Sequence, residues 1–245
     1  MENAAYIGLS RQMTLRRELD IAANNIANAN TTGFKVEQLL VGTEVGSRAR
    51  NDAIRPGASF VLDNGVGRDF TQGALQQTGR DLDFAIDGEG VFFKLQDGAG
   101  EAYTRDGAFT ISPEGELVTK GGLPVLGEGG PIVVDPARGP LSVAQDGAVS
   151  QDGVPIGRLG LARFDTLSVL SKDGDGLYRN RSNAVPLDAA GVQVRQGMLE
   201  GSNVNTLVEI TQLIEISRAY ERATKMIENV QELSRRSVER LGKPN

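Results

Sequence analysis

Three short constellations carry the residue types from which chemistry is usually built. Asp173-Gly174-Asp175-Gly176 looks like the start of a calcium loop, in which alternate carboxylates face one cation. The twelfth position from Asp173 is Ala184, where such a loop closes its shell with glutamate, and no helical pattern flanks it. A tight turn is the better reading. Gly127-Glu128-Gly129-Gly130 offers the bare backbone of a phosphate cradle, but the Gly-Lys-Ser/Thr ending and a following helix are missing, so it reads as a loop. Asp81, Asp83 and Asp87 could act as acid and base in glycoside cleavage. With 32 acidic residues in the chain some clustering is expected, and there is no tryptophan to stack on a sugar.

What is absent narrows the chemistry further. The 245 residues include no histidine, no cysteine and no tryptophan. That excludes a disulfide, a thiolate nucleophile, an imidazole base and a His/Cys zinc site. A net charge of −6 argues against nucleic acid as a partner. No catalytic, cofactor-binding or metal-binding residue is expected, no cofactor is implied, and the chain does not read as an enzyme. No apolar run approaches the roughly 18 residues of a membrane helix, so direct membrane insertion is not expected. The stretch from Met1 to Asp20 places Arg11, Arg16, Arg17, Glu18 and Asp20 where a signal peptide needs an apolar core. Either the chain stays in the cytoplasm or it leaves by a route that cleaves no signal.

The elements that would position these residues fall into three stretches. From Tyr6 to Ala29 the pattern is helical: Leu15, Leu19, Ala22, Ile26 and Ala29 recur at spacings of 3 and 4, with a second short stripe of Tyr6, Leu9 and Met13. Thr31-Thr32-Gly33 supplies a stop, glycine being suited to a left-handed cap. Residues 36–79 show poor periodicity and read as an extended connector holding a strand or two.

From residue 80 to 197 short apolar runs alternate with turns, which predicts a hairpin-rich, all-β domain. Asp-Gly recurs at 87–88, 97–98, 106–107, 146–147, 152–153, 173–174 and 175–176, the pair favoured where both turn residues need positive φ. Strands are expected at Leu82–Ile86, Val91–Leu95, Glu116–Thr119, Pro131–Val134 and Leu159–Phe164.

The last stretch, Thr206 to Leu241, is the best patterned. Leu213, Ile216, Tyr220, Ala223, Ile227, Val230, Ser234, Ser237 and Leu241 alternate spacings of 3 and 4 throughout. A helix of that length runs about 54 Å, longer than a small β-domain needs as cover. Helices packed on the β-domain are one reading of the two ends. A coiled coil between the termini, or between subunits, fits the strict heptad phase better, with Ile227 facing neighbouring helices. The asparagines of Asn24-Asn25-Ile26-Ala27-Asn28-Ala29-Asn30 support it. Asparagine is costly on a plain surface helix and useful where its amide bonds across a helix contact. The fold class is therefore α+β: terminal helices in a coiled-coil-like pair around a central all-β domain. The domains are 1–35 for the N-terminal helix, 36–79 for the connector, 80–197 for the β-domain and 198–245 for the C-terminal helix.

Asn24 to Lys35, ending Asn30-Thr31-Thr32-Gly33-Phe34-Lys35, resembles the N-terminal signature of the rod and hook family of bacterial flagellar axial proteins. Phe84-Ala85-Ile86-Asp87-Gly88-Glu89-Gly90-Val91-Phe92-Phe93, Tyr103-Thr104-Arg105-Asp106-Gly107-Ala108-Phe109 and Glu200-Gly201-Ser202-Asn203-Val204-Asn205 are similar to its further motifs, in the family's order. Val91 departs from the more usual phenylalanine. Length and the segment Leu123 to Ile132 look most like the proximal rod members, with distal rod members the close alternative and hook proteins third.

The resemblance implies a non-enzymatic structural subunit that self-assembles through its terminal helices into a shaft. That shaft transmits torque, encloses an export channel and lies in the basal-body rod within the periplasm. It implies as partners further copies of itself, proximal and distal rod subunits, and the type III export apparatus, which releases the chain without cleaving a signal. The assembly interface expected on this basis comprises Leu15, Leu19, Asn24, Asn25, Ile26, Asn28, Gly33, Phe34, Ser202, Asn203, Asn205, Leu213, Ile216, Tyr220, Ile227 and Val230. A reading from a different class, a secreted β-domain enzyme or carbohydrate binder with helical oligomerisation arms, would need a pocket of convergent carboxylates.

Overall fold

The computed structural model describes residues 2–45, 59–98, 100–182, 184–189 and 191–241. The chain divides into two compact units, and its sequence passes between them more than once. Unit 1 comprises Met1–Ala27, Glu37–Asp69 and Asn205–Asn245; unit 2 comprises Asn28–Val36 and Phe70–Val204.

Unit 1 holds helix α1 (Glu2–Ala27), a hairpin of β1 (Glu37–Val45) and β2 (Ser59–Arg68), and helix α2 (Thr206–Leu241). The start of α2 is set by Asn205, whose Oδ1 accepts from the backbone N–H of Leu207 at 3.2 Å and of Val208 at 3.3 Å. That side chain satisfies donors with no intrahelical partner, and Glu209 in the first turn suits the positive end of the helix dipole. The two helices run antiparallel. Gly8 of α1 lies against Ile227 of α2, Gln12 Nε2 donates to Thr224 Oγ1 at 3.1 Å, and Asn25 reaches Glu209. The hairpin occupies part of what the sequence presents as a connector. Its register shifts between Leu39 and Val41, which leaves Leu40 exposed and breaks the alternation that would have marked a strand.

Unit 2 is built on strands. Its largest sheet is antiparallel and five-stranded, in the order Leu161–Arg163, Val91–Asp97, Gly100–Thr104, Leu177–Asn180, Leu170–Lys172. The pleat sends successive side chains to opposite faces. Val91, Phe93 and Leu95 enter one core with Phe84, Phe109 and Val149, while Phe92 enters a second with Phe70, Tyr103, Phe164 and Tyr178. Edge-to-face contacts such as Phe93–Phe109, 5.2 Å between centroids, and Tyr103–Phe164, 5.0 Å, fill these cores. Two short ladders complete the frame around the links to unit 1: Leu75–Gln77 with Met198–Glu200, and Phe84–Asp87 with Gln193–Gln196.

The strand expectations hold with changed ends. Only Gly130–Pro131 of the run near Pro131–Val134 joins a ladder, and only Leu161–Arg163 of Leu159–Phe164 is strand. The Asp-Gly expectation is narrower than the sequence suggested. Both residues have positive φ at Asp152-Gly153, 50° and 75°, and at Asp175-Gly176, 46° and 72°; among the described residues no other Asp-Gly pair does. Gly107 serves a different need. A Cβ there would lie 1.8 Å from the carbonyl oxygen of Phe84, so glycine permits a close backbone approach rather than a turn.

Candidate assembly surfaces

Of the carboxylates first singled out, Asp83, Asp87 and Asp173 are committed to structure, and Asp81 and Asp175 are exposed. Asp83, 1% exposed, accepts from Thr78 Oγ1 at 2.6 Å and from both Nε and Nη2 of Arg80 at 2.9 and 2.7 Å. Asp87 pairs with Arg195 at 2.9 Å, and Asp173 pairs with Arg179, which also holds Asp97. Gly127 and Gly130 face each other across a two-stranded ladder. These groups shape turns and edges.

The residues expected at an assembly interface fall into two groups, one in each unit. In unit 1, Asn25 is 1% exposed and fully used. Its Oδ1 accepts from the Glu37 N–H at 3.0 Å, and its Nδ2 donates to the Glu37 carbonyl at 2.8 Å and to Glu209 Oε2 at 3.1 Å. One amide thus joins α1, β1 and α2, and Glu37 is held in turn by Arg68 at 2.8 Å. Leu15 is buried, Leu19 and Ile26 are half-buried and Asn24 is exposed. Around Asn25 a cavity of about 260 Å³ is bordered by Glu18, Glu37, Glu209 and Glu215.

On α2 the heptad positions Leu213, Ile216, Tyr220, Ile227 and Val230 are all half-buried. Ile227, expected from its phase to face neighbouring helices, rests on Gly8 of its own chain: a Cβ at Gly8 would come within 2.9 Å of Ile227 Cγ1. The apolar side chains left outside lie elsewhere. Leu207, Ile210 and Ile214 are 76%, 42% and 46% exposed. At 3.6 residues per turn Leu207 and Ile214 project away from the stripe that holds Ile216 and Ile227, and Ile210 lies on its flank beside Leu213. The second stripe of α1 behaves alike. Tyr6, Leu9 and Met13 are exposed and project opposite the side that holds Gly8, Leu15 and Ala22.

In unit 2 the signature continues as a tightly bound link. The carbonyl of Asn28 accepts from the Thr31 N–H at 3.1 Å, and Gly33 turns the chain with φ of 67°. A Cβ at Gly33 would stand 2.6 Å from backbone atoms of Arg105 and Asp106, so both its φ and its packing require glycine. Phe34 is buried, with Lys172 Nζ 4.7 Å from its ring centroid. This link lies beside the segment that leads to α2. Gly33 N–H donates to the Glu200 carbonyl at 2.8 Å, Val36 N–H to Asn203 Oδ1 at 2.8 Å, and Asn203 N–H to the Phe34 carbonyl at 3.4 Å. Asn203 Nδ2 reaches the Thr71 carbonyl at 3.2 Å, and Ser202 Oγ accepts from the Val204 N–H at 3.2 Å.

Beneath the link lies a charge cluster that the interface expected from the sequence does not include. Lys35 and Arg105 have fully buried side chains and Glu200 is 1% exposed. Lys35 Nζ donates to Glu200 Oε1 at 2.6 Å and to the Thr71 carbonyl at 2.6 Å; Oε1 also accepts the Gly73 N–H at 3.0 Å. Glu200 Oε2 is 3.3 Å from Arg105 Nη1, and Arg105 Nη2 donates to the Gly88 carbonyl at 2.6 Å. Arg105 Nε and Glu200 Oε2 find no hydrogen-bond partner among the described residues. Burial pulls the Arg105 guanidinium below its ordinary range, and the Glu200 carboxylate opposes that pull. A partial signal was in the sequence: Lys35 lies between Phe34 and Val36 and Glu200 between Leu199 and Gly201, but Arg105 stands between Thr104 and Asp106, and nothing local ties the three together.

Among the described residues no helix is long and apolar enough to cross a membrane. Three family models match the chain: one described as flagella basal body rod protein over residues 6–35, one as flagellar hook protein FlgE/F/G D1 domain over residues 85–151, and one as flagellar basal body rod FlgEFG protein C-terminal over residues 195–240. The chain is similar to the flagellar basal-body rod protein FlgF of Caulobacter vibrioides, 59% identical over 100% of both chains. It is 37% identical to FlgF of Rhizobium meliloti over 99% of both. With FlgG of Bacillus subtilis it shares 33% identity over 95% of this chain and 97% of that one.

Proposed function

The chain belongs to the flagellar basal-body rod protein family and is a structural subunit of the rod, not an enzyme; from that premise we propose that its terminal helices are what build it into the shaft. The observation that carries this reading is the pair of exposed apolar stripes, each opposite the side its helix turns toward the other. A helix that is apolar on opposed sides is at home inside a bundle, between two layers of neighbours. Burying one such leucine or isoleucine at a subunit contact contributes roughly 1.5–3 kcal/mol, a gain repeated at every subunit added.

Within each chain, α1 and α2 form a coiled-coil-like pair through Leu15, Leu19, Ile26, Leu213, Ile216, Tyr220, Ile227 and Val230. Tyr6, Leu9, Met13, Leu207, Ile210 and Ile214 then meet helices of further copies and of other rod subunits. Asn24 and Asn28 flank the junction, while Gly33, Phe34, Ser202, Asn203 and Asn205 set the two links. The 59% identity with FlgF of Caulobacter vibrioides over both whole chains, against 33% with FlgG of Bacillus subtilis, favours the proximal rod. In this reading the shaft transmits torque across the periplasm and encloses the export channel. The chain reaches it through the flagellar type III apparatus with its N-terminal helix retained.

Ile214→Asp tests the reading. Ile214 is exposed in the chain, so the purified variant should melt as the wild type does, be exported, and fail to enter basal bodies, leaving cells without motility. A carboxylate at a dry subunit contact costs several kcal/mol unless paired. Rods of normal length built from Ile214→Asp would overturn the assembly role of this side of α2. So would a lowered melting temperature, which would place Ile214 in the chain's own packing.

A further inference from the structure

The two segments that connect unit 2 to the terminal helices are held together by three buried charges, although each could have been an ordinary surface loop. The N-terminal link (28–36) and the residues from Glu200 to Val204 exchange three hydrogen bonds, through Gly33, Val36 and Asn203. Under them lie two cations and one carboxylate, all essentially without solvent. Ion burial of this kind is rarely a gain in stability over apolar packing, so its value lies in the arrangement it enforces. Each charge has come from a different part of the sequence. Lys35 closes the N-terminal signature, Arg105 follows the strand Gly100–Thr104, and Glu200 ends the strand Met198–Glu200. Only when all three segments are in register does the carboxylate meet both cations.

We infer that Lys35, Glu200 and Arg105 form a positioning clamp that fixes the two links as one element, so that each subunit presents the end of α1 and the start of α2 at a set separation before it meets the rod. This rests on the assembly reading above. The links continue by the chain alone into Ala27 and Asn205, so whatever fixes the links fixes the points from which the helices depart. Glu200 is the hinge pin of the arrangement. Its carboxylate binds Lys35 from one link and the Gly73 amide from the segment after Phe70, while its backbone carbonyl binds the Gly33 amide.

The informative variant is Lys35→Met, which removes one of the two cations and leaves Arg105 and Glu200 as a neutral pair. Backbone amide exchange is measured on the purified full chain, and incorporation into basal bodies is measured in cells. The amides of Gly33, Val36 and Asn203 should exchange about 10- to 100-fold faster than in wild type. The amides of Lys94 and Leu117, bonded to Gly160 and Ile132 in the β-core, should be unchanged. Incorporation should fall although the stripes on both helices are intact. Equal acceleration of core and link amides would overturn the proposal, because the cluster would then be general packing. Unchanged link amides would overturn the clamp itself, and loosened links with normal incorporation would overturn its positioning role. Should Lys35→Met fail to fold, the wild-type chain decides: the three link amides must open together with one common protection, and independent opening sinks the clamp. Failure of the assembly reading shows separately, as rods that form with Ile214→Asp.

Discussion

Unit 2 and unit 1 solve the burial problem in opposite ways. Unit 2 removes Phe84, Phe92 and Phe93 almost wholly from water, each 1% exposed or less, and surrounds them with further buried aromatic and aliphatic side chains. Among the described side chains of unit 1, the buried hydrophobic residues are Leu15 and Ala22; the others buried there include Thr14, Asn25 and Glu209. Its larger apolar groups, Tyr6, Leu9, Met13, Leu207, Ile210 and Ile214 among them, stay exposed. Ordering the backbone costs roughly 1–2 kcal/mol per residue in either unit. Unit 2 offsets that cost from its own core. Unit 1 relies on a few polar contacts and a narrow seam, and in the proposed rod the remainder comes from neighbours. A finished part and a part that awaits its complement are joined in one chain.

The comparison can be broken most sharply in the β-core. Phe93→Ala should destabilise unit 2 by about 3–5 kcal/mol, read from its urea unfolding curve. A loss below about 1 kcal/mol would mean that the core is not what holds unit 2. A smaller effect should appear in unit 1. Asn25→Ala removes three hydrogen bonds at the meeting of α1, β1 and α2 and leaves Glu209 without this donor. It should cost about 1–3 kcal/mol, seen as earlier loss of the helical circular dichroism signal with the unit 2 transition unmoved. If both transitions moved together, the two units would be one cooperative body. The smallest change sharpens the contrast. Met13→Ser, on the exposed stripe of α1, should alter the stability of the isolated chain by less than about 0.5 kcal/mol in thermal melts while weakening rod incorporation.

The two long helices and the hairpin-rich middle were legible because their signals are local. A 3–4 spacing sustained from Leu213 to Val230 has no strand counterpart, and short apolar runs between Asp-Gly pairs have no helical one. The hairpin at Glu37–Val45 and Ser59–Arg68 was obscured by its bulge at Leu40. Heptad phase identified the stripe on α2 but not its partner. Whether Ile227 meets Gly8 of its own chain or a helix of another subunit depends on a long-range contact that spacing does not encode. Of the asparagines in the signature, Asn25 bonds across a helix contact, its amide reaching Glu209 of α2. The Lys35–Glu200–Arg105 cluster was invisible for the same reason as the Ile227 contact. Its members are far apart in sequence, and each alone resembles a surface charge.

The helix pair of unit 1 joins segments that lie on either side of unit 2 in the sequence, and this orders events in time. A ribosome releases α1 first, then the residues from 28 to 205, and α2 last. At ordinary elongation rates about 10–35 s separate the completion of Ala27 from the appearance of Thr206. Throughout that interval the seam residues Gly8, Leu15 and Ala22 have no α2 to lie against, whereas unit 2 has nearly all of its sequence in hand before α2 begins. Closing the helix pair therefore requires that translation has passed α2. A chain cut short just before α2 has every strand of unit 2 and still lacks half of the seam, so such a product carries its defect in the helices through which the proposed assembly would take place.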